Sequence, residues 1–230
     1  NAERVIALKL REVLLIRNGH LQKLELPEAD IQAGTLRRMP DGRDVLLLPN
    51  VNGVADYHSG IQDVSYDDAP RHVGIEIEVN AGSHNQQERQ RIAAEILLAT
   101  SGRVKIERDG SVTGFELITG HGKPSSVRQE LAAVFRQKLL AGFRTARTTG
   151  AHVHVTAPGD ENYRVVQATG YYRALLPFYR SLGERANGGY CRAGLHHGRY
   201  SEINVETGKG TVEFRLFKSQ LKLAKLIRNA

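Results

Sequence analysis

Val73-Gly74-Ile75-Glu76-Ile77-Glu78-Val79 decides how the rest of the chain is read, because its odd positions are all aliphatic and its even ones are Gly, Glu and Glu. Side chains along a β-strand alternate between two faces. Val73, Ile75, Ile77 and Val79 therefore face a core, while Glu76 and Glu78 stand together on the other side. Two carboxylates about 7 Å apart on one face repel, and a sheet that merely meets water interleaves Lys or Thr among its acids. A cation would remove the conflict.

The same grammar recurs three times. Gly114-Phe115-Glu116-Leu117-Ile118 sets Glu116 against Phe115 and Leu117. Ala151-His152-Val153-His154-Val155 puts two histidines on one face and valines on the other. Thr211-Val212-Glu213-Phe214-Arg215-Leu216-Phe217 alternates Thr, Glu and Arg with Val, Phe and Leu. Any one of these strands reads equally well as half-buried with a solvated polar face. If the four apolar faces build one core, Glu76, Glu78, Glu116, His152, His154, Glu213 and Arg215 line the opposite face together, and that gathering reads as a site. Carboxylate oxygens with one or two imidazoles favour Mg²⁺ or Mn²⁺ over a thiolate-type zinc centre. Several carboxylates can hold two ions that bridge phosphate oxygens, and Arg215 on the same face can contact a phosphoryl group.

Outward from these strands, helical spacing of apolar residues predicts helices over Glu88 to Thr100, Ser125 to Phe143 and about Asn162 to Arg185, the last disturbed by Pro177. Further strands are expected at Val104 to Glu107, Ser111 to Ile118, Ala151 to Thr156, Arg199 to Val205 and Gly210 to Phe217. Residues 1–70 read as a separate, small β-rich region, with β-like stretches at Val5 to Leu10 and Val13 to Ile16, a turn at Asn18-Gly19, and Asp41-Gly42 before Val45 to Leu48. Residues 71–230 form the main body. The class is α+β: an antiparallel sheet with helices on its apolar face.

Composition sets the outer bounds. The 230 residues, 40% hydrophobic and 25% charged, describe a folded globular protein rather than a disordered or fibrous one. The longest apolar runs, such as Val45 to Pro49, fall far short of a membrane span. A single cysteine, Cys191, excludes an internal disulfide and suits a cytoplasmic setting. The net charge of +7 is compatible with an anionic partner. Asn1 is not a natural initiator, and Leu221 to Ala230 reads as a helix that stops without a cap, so both ends are expected to be cut from a longer chain.

At these residues the sequence resembles the amidoligase family, relatives of glutamine synthetase and glutamate–cysteine ligase among the carboxylate–amine ligases. Its motifs appear in order: G-I-E-I-E-V at Gly74 to Val79, D-G-S at Asp109 to Ser111, F-E-L-I-T at Phe115 to Thr119, G-A-H-V-H-V at Gly150 to Val155, R-Y-S-E-I-N at Arg199 to Asn204, and T-V-E-F-R-L-F at Thr211 to Phe217. The resemblance covers roughly Val73 to Leu226. It implies a glutamine synthetase-like sheet and an ATP-dependent ligase that activates a carboxylate as an acyl phosphate for attack by an amine. It implies two metal ions, Glu78 and Glu116 serving one, and Glu76, His152 and Glu213 the other. His154 would lie near nucleotide phosphates or substrate, Arg215 would stabilise the transferred phosphoryl group, and Arg199 and Asn204 would bind nucleotide or substrate. Either Asp109 or Glu107 can supply a further acid to the first metal.

Two alternatives stay open: a metal- and ATP-dependent phosphotransferase of the same superfamily, and a non-catalytic nucleic-acid-binding protein. The latter is disfavoured by an aromatic content of 6%, the lack of tryptophan and the lack of a recognised nucleic-acid motif. No Walker-type loop is present. The glycine-rich stretch around Gly194-Leu195-His196-His197-Gly198 reads as either a closing loop or a plain connection, and Arg144, Arg147, Arg192 and Lys209 as phosphate contacts or solvated charges.

Overall fold

The computed structural model describes residues 10–56, 64–68, 72–146, 149–156, 170, 174, 191, 200–205 and 211–223. Ten strands and three helices of these residues form two sheets. In the first, β1 (Leu10–Arg17) and β2 (His20–Pro27) make a hairpin, and β4 (Asp44–Leu47) joins β1 in parallel and β3 (Thr35–Arg38) antiparallel, giving the order β2-β1-β4-β3. A short helix, α1 (Glu28–Ala33), links β2 to β3. Asn18 and Gly19 both sit at positive φ, as the expected turn requires.

The second sheet is antiparallel throughout. Its order is β6 (Val104–Glu107), β7 (Phe115–Thr119), β5 (Val73–Val79), β8 (Gly150–Thr156), β10 (Thr211–Lys218) and β9 (Ile203–Asn204). The four strands with alternating pattern are thus the four central neighbours, and their apolar residues, Ile75, Ile77, Phe115, Leu117, Ala151, Val153 and Val212, are buried in one cluster. Helices α2 (Gln86–Ala99) and α3 (Pro124–Arg136) cover it with Ala93, Ile96, Leu97, Val127, Leu131 and Val134. The class is α+β.

The strand expected over Arg199 to Val205 is, among the described residues, only Ile203–Asn204, and three other departures from the expected elements have a local reason. Helix α3 stops seven residues short of Phe143: Lys138 turns to φ 53°, its N–H bonds to Phe135 O, and Leu139 N–H bonds back to Val134 O. This double bond ends a helix although apolar residues continue at helical spacing. Strand β7 begins only at Phe115, because the Asp109 carboxylate accepts from the Ser111 backbone and holds a turn there. Strand β10 carries a bulge between Phe214 and Phe217. Simple alternation would put Phe217 on the acidic face; the extra residue returns it to the core, where it is buried. The third expected helix lies outside the described residues except for Gly170 and Ala174, which are helical.

Residues of the first sheet share the main core rather than enclosing one of their own. Ile16, Met39, Val45, Val51 and Val54 belong to the same buried cluster as the second sheet. The joint is tight at Gly53, where a Cβ would lie 2.3 Å from Ala94 N and 2.4 Å from Gln90 O of α2, so only glycine permits this approach. Ala55 adds a parallel bridge to Glu107. No helix among the described residues is long and apolar enough to cross a membrane.

Candidate functional site

Register builds the site. Glu76 stands opposite His152 on one side and Ile118 on the other, Glu78 opposite Glu116, and Glu213 opposite both His154 and Asn204. Each of these side chains therefore projects from the face that the core does not use. Buried nonetheless, Glu78, Glu116, His152 and Glu213 are 3%, 7%, 3% and 4% exposed, so no bulk solvent screens their charges.

His152 is the hub. Its Nδ1 lies 3.0 Å from Glu76 Oε2, 3.4 Å from Glu213 Oε1 and 4.0 Å from Glu116 Oε1, and its Nε2 lies 3.2 Å from Glu78 Oε1. Carboxylates on both ring nitrogens can be satisfied only by an imidazolium, which has two N–H donors. Burial alone would lower the His152 pKa, but the bonds to Glu76 and Glu78 outweigh it and raise it to about 10. For Glu76 burial likewise acts to raise the pKa, and His154 and His152 overcome it and hold the carboxyl well below its usual range. Glu116 is less well matched: burial, reinforced by repulsion from Glu76, pushes it well above the ordinary value.

The remaining members are fixed by neighbours. Glu78 Oε2 accepts the Gly150 N–H at 2.5 Å. Glu213 accepts from Asn204 Nδ2 at 2.9 Å and from Arg215 Nη1 at 2.5 Å, and Arg215 also stacks over the Tyr200 ring. Asn204, which the resemblance assigns to nucleotide or substrate, thus holds a carboxylate in place. Arg199, with the same implied role, lies outside the described residues, as do His196, His197, Arg147, Arg192 and Lys209. Arg144 is described and makes a backbone bridge to Asn80.

A divalent cation fits this donor set. Two triads, Glu76–His154–Glu213 and Glu76–Glu116–His152, each present ligand atoms within 4.8 Å of one another. His154 Nε2 is buried and lies 3.0 Å from Glu76 Oε1 without the alignment of a hydrogen bond, and it has no other hydrogen-bond partner among the described residues. A buried imidazole nitrogen that converges on a carboxylate oxygen without bonding to it suits a shared cation. These triads are grouped otherwise than the expected division, although Glu76, His152 and Glu213 also lie together, His152 Nδ1 being 3.0 and 3.4 Å from the two carboxylates. Glu76 belongs to both triads, His154 joins Glu213, and Glu116 goes with His152, because cross-strand register sets His152 beside Glu76 and His154 beside Glu213.

Two further buried acids lie on or beside the same sheet, Glu107, one of the two candidates for a further acid, and Glu202, which had no expected role. Glu107 is 6% exposed and sits directly opposite Glu116, which sits opposite Glu78, so three carboxylates form a row across β6, β7 and β5. Of the two candidates for a further acid, register aligns Glu107, whereas Asp109 turns to Ser111. The alternation Val104-Lys105-Ile106-Glu107 carries that signal. Glu202, 2% exposed beside β9, has no comparable signal.

Cavities flank the cluster. The larger, about 750 Å³, opens at Glu78 and Arg215 between the start of α2 and the loop 108–114; the smaller, about 320 Å³, opens at Glu76 and His154 and is walled by His72 and His121. No protein-family model and no curated protein matches the chain.

Proposed function

We propose that the chain is an ATP-dependent carboxylate–amine ligase on a glutamine synthetase-like sheet, working with Mg²⁺ or Mn²⁺. The observation that carries this reading is the convergence of three buried glutamates and the half-buried Glu76 on His152, beside His154 and Arg215, between two separate cavities. A protein that only folds has no use for so many like charges in its interior, since each uncompensated buried ion costs several kcal/mol. The ordered motifs say which chemistry such a face serves.

Glu76, Glu116, His152, His154 and Glu213 would hold the metal, with Glu78 and Glu107 completing the acidic row. A divalent ion supplies charge neutralisation to phosphate oxygens. The chain's own residues do the rest. Arg215, held by Glu213 and steadied by Tyr200, offers a fixed guanidinium to a phosphoryl group in transfer. A substrate carboxylate oxygen attacks the γ-phosphorus of ATP and releases ADP. An amine nitrogen then attacks the carbonyl carbon of the acyl phosphate and expels inorganic phosphate. No protein nucleophile is needed, which leaves the face free to bind, orient and exclude water.

The test is release of ADP and phosphate with Mg²⁺ or Mn²⁺ while pools of acids and amines are screened. Amide product that disappears in Glu213→Ala supports the reading. Phosphorylated product without amide would favour the phosphotransferase, and salt-dependent polynucleotide binding indifferent to Glu213→Ala would sink catalysis altogether.

A further inference from the structure

The two cavities differ in charge. Among its described lining residues the smaller has histidines, threonines and Glu76 but neither arginine nor lysine. The larger has Arg89, Arg108 and Arg215, from three separate elements, with the amides of Gln86 and Gln90 and the hydroxyls of Ser111 and Thr113 between them. Its two acids are already engaged by backbone donors: Glu78 accepts from Gly150, and Asp109 accepts from Ser111.

The three arginines are not equally committed. Arg215 is bound to Glu213 at the cluster. Arg108 lies 3.6 Å from Asp56, a loose pair between side chains 59% and 87% exposed, which solvent screens and a ligand can displace. Arg89 makes no ion pair among the described residues, and helical spacing sets it with Gln86 and Gln90 on the side of α2 that faces the cavity. A volume of about 750 Å³ exceeds what a single small acid fills and accommodates a peptide-sized molecule.

We infer that the larger cavity admits the carboxylate-bearing substrate and selects an acid with a second anionic group, bound by Arg89 and Arg108 while the reacting carboxylate meets Arg215. This rests on the ligase reading and names its acid substrate as a short acidic peptide or comparable polycarboxylate. Planar guanidinium groups bind carboxylates through paired charge-assisted hydrogen bonds, which gives both affinity and orientation.

The experiment measures binding of glutamate- and aspartate-rich di- and tripeptides, matched neutral peptides and tripolyphosphate to the full chain, with Mg²⁺ present and nucleotide absent. Acidic peptides should bind and neutral ones should not. Arg89→Ala and Arg108→Ala should each weaken the acidic peptides about ten- to hundred-fold, while Arg89→Lys retains part of the affinity and Arg38→Ala, on the other sheet, changes nothing. Arg89 and Arg108 lie at the surface of the fold, and thermal melts of the variants check that they remain folded. Three results would overturn the inference: no acidic peptide binds at millimolar concentration, the arginine variants bind as the parent does, or Arg89 and Arg108 govern tripolyphosphate alone. Because no turnover is measured, peptide binding can stand or fall independently of ligation.

Discussion

Both sheets carry charged residues on their strands, yet they differ in how far those charges are buried. On the first sheet opposite signs meet across strands in the open: Arg38 pairs with Asp44, its direct cross-strand partner, at 2.9 Å, and Lys23 pairs with Glu12, all four side chains being 46–68% exposed. On the second, Glu107, Glu116 and Glu78 face one another in a row and are 6%, 7% and 3% exposed. Opposed like charges destabilise a sheet, and burial multiplies the effect. The first arrangement is what solubility alone requires; the second gathers buried acids beside the imidazole of His152, where a change of charge is felt strongly.

The sharpest way to break that contrast is to remove a charge from the acidic face. Glu76→Ala, which takes a ligand from both triads, should lower Mn²⁺-dependent turnover by about a thousand-fold or more, and should remove the thermal stabilisation that Mn²⁺ is expected to give the parent. Retention of either would show that Glu76 and its triads are structural. A smaller loss is expected from Asn204→Ala, which leaves Glu213 in place but without its amide donor; metal affinity measured by titration should fall about ten- to hundred-fold.

Acidity provides a third and gentler test. The folded His152 pKa, raised to about 10 from 6.5, means that its contribution to stability is complete below about 6.5 and is lost as pH rises towards 10; the raised Glu116 acts in the same direction above about 4.5. Metal-free protein should therefore lose stability between pH 7 and 10 in denaturant melts. Mn²⁺ affinity should instead rise by about tenfold per pH unit over that range, as the ion displaces the His152 proton. A flat affinity profile would remove His152 from the ligands. The smallest effect belongs to the first sheet: Arg38→Ala should change stability by less than about 1 kcal/mol and leave turnover unaltered.

The acidic face was legible because period-two alternation is a strictly local signal: Glu76, Glu78, Glu116, His152, His154 and Glu213 follow from their own strands once one core is assumed. Which of them converge into triads was not legible, since that depends on which strand lies beside which and in what register. Glu107 is the instructive case, a residue whose strand was identified but whose place opposite Glu116 only pairing could assign. The end of α3 escaped for another reason: Lys138 adopts a left-handed conformation usually left to glycine, so no residue type announces the stop. The cavities lay still further beyond reach, because α2, the loop 108–114 and β10 meet only in three dimensions.

Val54 lies in the larger cavity's wall, and its N–H is accepted by Gln90 Oε1, which fixes a side chain of the same wall. The segment that reaches α2 at Gly53 thus belongs to the first sheet by chain order and to the binding cleft by position. Insertions, deletions or hairpin exchanges in that sheet can therefore move one wall of the cleft while the glutamates and histidines of the second sheet keep their places. If the cleft binds substrate as proposed, a change far from the acidic face in sequence can alter what it admits without altering that face.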